Sequence, residues 1–303
     1  MATPPFSGDD AMTGFSWNLV ADLREMWSLP FMVSAFRAGT IVAVLAALIG
    51  WFMVLRRQSF AGHTLAVVGF PGAAAAAWLG VSLTHGYYAG CVAAALVISL
   101  GSARRGHTPA AASAVVGIAQ AFALAAGMLL TSLSQGFLNS VSSLLFGSFL
   151  GITPSQVNTL VVVAVGALAV LAVIGRPLLF SSVDAGVASA HGVPTRLLGT
   201  VFLVLLGVTA AAVSQITGAL LVFSLLVLPP ATAARLTSRT GRGLALSVGL
   251  GLVVVWVALF VAFYSPYPVG FWLTTIAFGL YVSTLVVTRL RERLARRAAE
   301  AVT

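Results

Sequence analysis

From Met26 to Arg291 the sequence contains a single carboxylate, Asp184, and most of the other residues lie in long apolar runs. The chain is 59% hydrophobic and 8% charged over 303 residues. A water-soluble protein of this length could not bury so much apolar surface, so the chain must lie in a lipid bilayer. The runs are continuous rather than alternating, which favours helices over a β-barrel. The sequence therefore predicts an all-α polytopic membrane protein.

The apolar segments predict about nine transmembrane helices, most of them near the roughly 20 residues that a bilayer requires. Their predicted bounds are Phe36–Leu55, Leu65–Leu83, Tyr88–Leu100, Ala114–Leu133, Leu160–Ile174, Leu197–Val213, Ile216–Leu228, Leu244–Tyr264 and Phe271–Val287. The short runs that begin at Tyr88 and Ile216 favour bent or broken helices there. Ser134–Ile152 is too short to cross and too apolar for water, and it predicts a re-entrant or outer-face half-helix. The pair Pro229–Pro230 predicts a stop or a kink, since proline lacks an amide donor.

The arginines predict how the segments are oriented, because basic loops stay on the cytoplasmic side of a membrane. They fall at alternate segment ends, which are Arg56/Arg57, Arg104/Arg105, Arg176 with Arg196, Arg235/Arg239/Arg242 and the tail from Arg289. This pattern predicts an extracellular N terminus and a cytoplasmic C terminus. The predicted organisation is an extracellular segment 1–30 with an interfacial amphipathic helix in Phe15–Trp27, a transmembrane domain 31–288 and a basic cytoplasmic tail 289–303 that contacts anionic lipid.

The sequence lacks the motifs of common enzyme classes. It contains no lysine, which excludes a Walker A phosphate loop, and it has no carboxylate pair, HExxH or GxSxG pattern. A membrane proton relay of Asp and Glu side chains is also unavailable, although His63, His85, His107 and His191 remain. The chain is therefore predicted not to be an enzyme. The net charge of +9 is explained by loop topology, so nucleic acid is not expected as a partner. No cofactor is expected either.

Two polar stretches interrupt the apolar pattern. The first, Ser181–Pro194, surrounds Asp184 and separates two membrane-length runs, so it must lie in water or against another protein. The second, Leu55–Ala77, follows a double arginine and contains His63 among several glycines and Pro71. Glycine and proline in a membrane helix either permit close packing or free backbone carbonyls for a passing solute.

A series of collinear blocks resembles the permeases of zinc- and manganese-type ABC importers. Leu55–Arg57 and Gly62–Leu65 through Pro71–Gly72 look like that family's Leu-Arg-Arg…Gly-Asp-x-Leu-Ser-His…Pro-Gly block, and Leu145–Gly151 resembles its Leu-x-Gly-Ser-x-Leu-Gly block. Asp184–Val193 is similar to its Asp-x-x-x-Ala-x-x-x-Gly-Val stretch, and Gly218–Ala233 to its most recognisable block. The resemblance runs from about Pro30 to Val287.

This resemblance implies a type II ABC importer permease that forms a homodimer around a central pathway. An extracellular lipid-anchored solute-binding protein would supply the cargo, and two cytoplasmic ATP-binding subunits would drive transport. The implied coupling helix, which docks into the ATP-binding subunit, contains Asp184, Ala188, His191, Gly192 and Val193. The implied translocation pathway contains Gly62, His63, Gly69, Pro71 and Gly72.

The pathway block departs from the family at its expected metal ligands. The positions of the aspartate after glycine and of the histidine four residues on are His63 and Val67 here. A neutral imidazole at His63 can bind zinc or manganese, and two copies could meet across a dimer axis. His63 could equally be a helix-start residue bonded to the interfacial backbone. The cargo is then a divalent metal ion, its chelate or a non-metal solute, and a secondary carrier or channel without an ATPase is a further alternative.

Overall fold

The computed structural model describes residues 19–104, 109–133, 147, 151–219 and 221–300, which form a bundle of α-helices without strands in these ranges. The helices are α1 Leu19–Ser28, α2 Pro30–Leu55, α3 Ser59–Trp78, α4 Leu83–Arg104, α5 Pro109–Leu133, α6 Pro154–Val183, α7 Ala185–Ala190, α8 Thr195–Thr217, α9 Val222–Leu236, α10 Thr240–Phe263 and α11 Val269–Glu300. Eight of them are long and apolar enough to span a membrane, and α9 is a shorter apolar helix. The predicted polytopic all-α fold with about nine spans is confirmed. The re-entrant segment predicted over Ser134–Ile152 lies outside the described residues, apart from Gly147, Gly151 and Ile152.

Helices α2, α3 and α8 form the centre of the bundle. In each of them 67% of the most apolar window is buried within the protein, against 17% in α5 and α11. Helix α2 packs against α6, α9 and α10, α3 packs against α4 and α5, and α8 packs against α3, α4 and α6. The outer helices are apolar but exposed, as expected for the surface that a membrane protein presents to lipid.

Two helices are longer than their apolar runs suggest. Helix α6 begins at Pro154 rather than at the predicted Leu160, because Thr153 and Gln156 form a capping box. Thr153 Oγ1 accepts a hydrogen bond from the Gln156 backbone N–H at 3.3 Å, and Gln156 Oε1 accepts one from the Thr153 N–H at 2.9 Å. Helix α4 is continuous from Leu83 to Arg104, so the short run at Tyr88 does not mark a break.

The predicted span Ile216–Leu228 is divided between two helices. Helix α8 ends at Thr217, and Gly218 has φ 84°, a backbone conformation that glycine adopts far more readily than other residues. Helix α9 then begins at Val222, and its 15 residues would extend about 22 Å, less than the roughly 30 Å of a bilayer core. The expectation of a broken helix in this run is confirmed.

The paired prolines do not end α9, which continues to Leu236. Of the two predicted outcomes at Pro229–Pro230, the stop is therefore wrong, and the kink stays a prediction. Proline at position 230 leaves the Leu226 carbonyl without its usual helical donor. This carbonyl lies against Gly50 of α2, where the absence of a side chain allows the two helices to approach closely.

Both ends of the described chain are helical. Helix α1 buries Met26, while Trp27 is exposed and stacks on Phe36 at a ring distance of 6.2 Å. At the other end α11 continues without a break through the predicted boundary between residues 288 and 289. The positions of α1 on a membrane surface and of the tail in the cytoplasm stay predictions.

Candidate functional site

The polar stretch 181–194 folds into the short helix α7 between the long helices α6 and α8. Asp184 joins α6 to α7 with an extended backbone, φ −145° and ψ 103°. Its Oδ1 accepts a hydrogen bond from the Val187 backbone N–H at 2.9 Å. Asp184 is therefore the N-cap of α7, where a carboxylate satisfies a donor that has no partner within the helix.

Helix α7 ends in a Schellman turn centred on Gly192. The Gly192 N–H donates to the Ser189 carbonyl at 3.0 Å, and the Val193 N–H donates to the Ala188 carbonyl at 3.0 Å. Gly192 has φ 79°, in the left-handed region where a side chain is strained. The Asp-x-x-x-Ala-x-x-x-Gly-Val pattern thus encodes one short helix that is capped at both ends.

The predicted coupling residues occupy two sides of α7. Ala188 is completely buried, and Val193 is half-buried and packs against the main hydrophobic core. Asp184, Gly192 and His191 are exposed, and the His191 ring meets Phe180 edge-on at 6.0 Å. The structure therefore brings these residues together in one unit, which is fixed to the bundle on one side and open on the other.

Removing the cap should lower the affinity of a partner for α7, because the helix becomes less stable and not because a charge is lost. We expect Asp184→Ala to reduce binding of the ATP-binding subunit that the resemblance implies by about two- to thirtyfold, since losing an N-cap costs roughly 0.5–2 kcal/mol. Asp184→Asn keeps a capping oxygen and should bind nearly as well as the wild type. Titration of the purified chain with the labelled subunit measures both. Equal losses in Ala and Asn would show instead that the charge of Asp184 is what matters.

Two of the glycines predicted for the pathway, Gly69 and Gly72, lie where α4 approaches α3. A Cβ added to Gly72 would meet the Gly86 carbonyl oxygen and lie 2.8 Å from the Gly90 Cα, and one added to Gly69 would meet the ring of Tyr87. Small residues at such positions let helix backbones come close together. Packing is therefore the visible role of Gly69 and Gly72, and their place in a pathway stays a prediction.

Pro71 lies inside α3 on the side of the neighbouring helix α5. A Cβ added to Gly127 of α5 would lie 3.1 Å from the Pro71 Cγ. Gly62, one turn into α3, faces the Met53 sulfur and lies close to Leu226 of α9. The predicted pathway residues therefore follow a single helix, and α4, α5 and α9 each meet it at a different level.

His63 is half-buried near the start of α3 and meets the Phe223 ring of α9 edge-on at 5.9 Å. Its Nδ1 is buried and has no hydrogen-bond partner among the described residues. Val67, at the family's second ligand position, is 7% exposed and carries no donor atom. In the described part of the chain no three His, Cys, Asp or Glu side chains are grouped to hold a metal ion. Of the two positions where metal ligands were expected, only His63 carries a side chain that can bind a metal ion.

Arg56 makes tertiary contacts that the sequence did not predict, since it was identified there only as a topology marker and as part of the Leu-Arg-Arg block. Its Nη1 donates to the Ser182 hydroxyl at 3.1 Å and to the Ser181 hydroxyl at 3.5 Å, in the last turn of α6 before Asp184. The guanidinium lies over the Phe202 ring of α8 at 5.6 Å. No local pattern pairs positions that are 125 residues apart, so the signal was limited to an arginine beside a membrane segment.

The sequence matches the ABC 3 transport family over residues 28–288. It is 29% identical over 283 residues to the chelated iron transport system membrane protein YfeC of Yersinia pestis. This match covers 91% of this chain and 95% of the relative. It is 27% identical over 236 residues to the manganese transport system membrane protein MntC of Halalkalibacterium halodurans, with 78% and 80% covered. Among solved structures, PsaBC from Streptococcus pneumoniae in complex with Fab has a similar fold, with TM-score 0.77, 21% identity and coverage of 88% of this chain and 95% of that chain.

Proposed function

This chain belongs to the ABC 3 transport family, and from that premise we propose that it is the membrane-spanning permease subunit of an ATP-driven importer for a divalent metal ion or its chelate. The observation that carries the proposal is α7, a helix capped by Asp184 and Gly192 and open on one face. A short, rigid helix that projects between two spans is suited to dock into a groove of a separate motor subunit. ATP hydrolysis belongs to that subunit in this proposal, and the present chain is not an enzyme.

The proposed orientation places the N terminus outside the cell and the C terminus in the cytoplasm. Its support is the alternation of arginine-bearing helix ends with uncharged ones, since basic loops are retained in the cytoplasm. Helix α7 then lies on the side where ATP is available. The proposed assembly contains two copies of this chain, two ATP-binding subunits and an extracellular lipid-anchored solute-binding protein. The basic tail contacts anionic lipid.

The proposed cargo is manganese, zinc or a chelated metal. The named relatives transport manganese or chelated iron, and His63 offers a neutral nitrogen ligand whose buried Nδ1 has no hydrogen-bond partner among the described residues. In the proposed homodimer two copies of His63 contribute to one pathway. Because the membrane segments contain no carboxylate, a bare hard cation finds few oxygen ligands there, whereas a chelate brings its own.

Reconstitution tests this function directly. Proteoliposomes that contain the chain and its ATP-binding subunit should accumulate radioactive manganese or chelated iron when ATP and the loaded solute-binding protein are supplied on their respective sides. Uptake that needs a proton or sodium gradient and ignores ATP would identify a secondary carrier and end the proposal. ATP hydrolysis that responds to the binding protein, but never to a metal or a chelate, would keep the importer and change the cargo to a non-metal solute.

We expect His63→Ala to lower metal uptake about tenfold or more, because even a residue that only supports a metal ligand typically contributes 10–100-fold to affinity or activity. His85→Ala is the matched control, since that side chain is exposed at the start of α4. Initial uptake rates at limiting metal concentration measure both. If His63→Ala transports bare metal as fast as the wild type, His63 has a structural role and is removed from the pathway.

A further inference from the structure

Helices α2 and α3 are joined by the short turn Arg56–Gln58, so the two helix ends have little freedom to move independently. The Arg57 N–H donates to the Val54 carbonyl at 3.0 Å, and the Gln58 N–H donates to the Met53 carbonyl at 2.9 Å. Arg57 has φ 57°, so the turn has Schellman geometry with an arginine where glycine is usual. Because α3 begins at Ser59, a displacement of Arg56 must shift the start of α3 as well.

The Arg56 side chain connects this turn to the end of α6. Ser181 Oγ and Ser182 Oγ each donate to the Leu178 carbonyl, at 3.0 and 2.5 Å. A hydroxyl has one proton, so both oxygens are left as acceptors, and Arg56 Nη1 donates to them. Hydrogen bonds thus run from the Arg56 guanidinium to the two serine hydroxyls, and from these hydroxyls to the Leu178 carbonyl.

The other side of the guanidinium faces α8. It lies over the Phe202 ring, and a Cβ added to Gly199 would be 3.6 Å from Arg56 Nη2. Arg56 Nε is buried and has no partner among the described residues. Burial lowers the pKa of the Arg56 guanidinium, which nevertheless remains a cation at neutral pH.

A half-buried cation held by two neutral hydroxyls is an inefficient way to stabilise a fold. Its position suggests another use, because Ser181 and Ser182 lie three and two residues before Asp184, and α8 follows the Schellman turn of α7. The two helices between which α7 lies therefore both contact Arg56.

Resting on the permease function above, we propose that Arg56 is a positioning residue that transmits the displacement of α7 to the start of α3. When the ATP-binding subunit moves α7, the end of α6 and the start of α8 move with it. Arg56 holds the α2–α3 turn to both, so the segment with Gly62 and His63 follows. Without Arg56 the ATP-binding subunit would still dock and hydrolyse ATP. A smaller displacement would be transmitted to the pathway, and less cargo would be moved per ATP hydrolysed.

The test compares cargo moved per ATP hydrolysed in proteoliposomes. The variants are Arg56→Gln, Arg56→Lys and the double variant Ser181→Ala/Ser182→Ala, which removes the acceptors and leaves the cation. Arg57→Gln is the matched control, because it makes the same change at an adjacent exposed arginine. Coupling between sites is typically worth 5–150-fold, so we expect the ratio to fall at least about fivefold in Arg56→Gln and in the serine variant, and less in Arg56→Lys. Combining Arg56→Gln with the serine changes should add little, since both remove the same contact.

Co-purification of the ATP-binding subunit is measured in parallel and should be unchanged. Wild-type ratios in Arg56→Gln and in the serine variant would overturn the proposal. So would loss of docking in the serine variant, which would mean that the hydroxyls shape α7 itself.

A measurement without any partner separates this inference from the permease function. Amide hydrogen exchange of residues 59–65 in the purified chain should rise in Arg56→Gln and in the serine variant, and stay at the wild-type rate in Arg57→Gln. If wild-type proteoliposomes show no ATP-driven uptake while exchange rises as stated, the proposed function fails and the Arg56 connection stands. Unchanged exchange in both variants would remove the connection itself.

Discussion

Gly192→Val should lower ATP-driven uptake at least about tenfold, through weaker docking of the ATP-binding subunit. Gly192 has φ 79°, and a left-handed backbone costs an ordinary L-residue roughly 1–2 kcal/mol, with β-branched side chains the worst suited. The turn can relax only by breaking the hydrogen bonds from Gly192 to Ser189 and from Val193 to Ala188, which end α7. We expect the ATP-binding subunit to bind at least about tenfold more weakly, since 1.4 kcal/mol corresponds to that factor. Co-purification and uptake in proteoliposomes measure the two consequences.

Two further variants isolate the backbone effect. Gly241→Val makes the same change in the first turn of α10, where no described atom lies within 4 Å of an added Cβ, and it should dock and transport normally. Gly192→Asn should keep most of the activity, because asparagine tolerates the left-handed region better than other side chains. Docking of Gly192→Val at wild-type strength would show that the end of α7 is not part of the interface.

The short helix α7 was expected from the family resemblance, and its sequence also carries local signals for a helix. A lone carboxylate before a helix-compatible stretch is typical of an N-cap, and Asp184 is the N-cap of α7 in the structure. Gly192 follows at the position where a short helix ends and a left-handed residue is needed. The polytopic class was equally accessible, since hydropathy reports directly on burial in lipid.

The ends of the long helices depended on signals that hydropathy does not contain. Thr153–Gln156 is a readable capping box with proline at the first helical position, yet the apolar run starts later, so the start of α6 was missed. The break at Gly218 lies inside an apolar run, and the residues before and after it are both buried. Hydropathy therefore does not mark the position of the break. Pro230 lies within α9, where it removes the usual helical donor of the Leu226 carbonyl, and that carbonyl faces Gly50 of α2.

Tertiary contacts account for the part of the candidate site that sequence reasoning could not reach. The hydrogen bonds of Arg56 to Ser181 and Ser182 join segments that no periodicity relates. The glycines of α3 were recognisable as a group, but the choice between close packing and an open backbone depends on which helix lies opposite. Only the fold shows that Gly72 faces Gly86 and Gly90.

Gly72→Leu should destabilise the protein more than it alters transport by the molecules that fold. The added side chain would meet the Gly86 carbonyl oxygen and the backbone of Gly90, so α3 and α4 would have to separate. Overpacking of this kind typically costs about 1–3 kcal/mol, and backbone atoms yield less than flexible side chains. We expect a lower midpoint of thermal unfolding in detergent and a smaller yield of monodisperse protein, with manganese uptake per folded molecule largely kept.

Gly117→Leu is the matched control, because it makes the same change in the middle of α5 where no described atom lies within 4 Å of an added Cβ. Its unfolding midpoint should stay close to that of the wild type. The comparison also decides between the two roles of the α3 glycines. A Gly72→Leu protein that unfolds at the wild-type temperature but has lost uptake would make Gly72 a lining residue of the pathway. A protein that unfolds early while its folded fraction transports normally would make Gly72 the packing contact that holds α4 against the pathway helix.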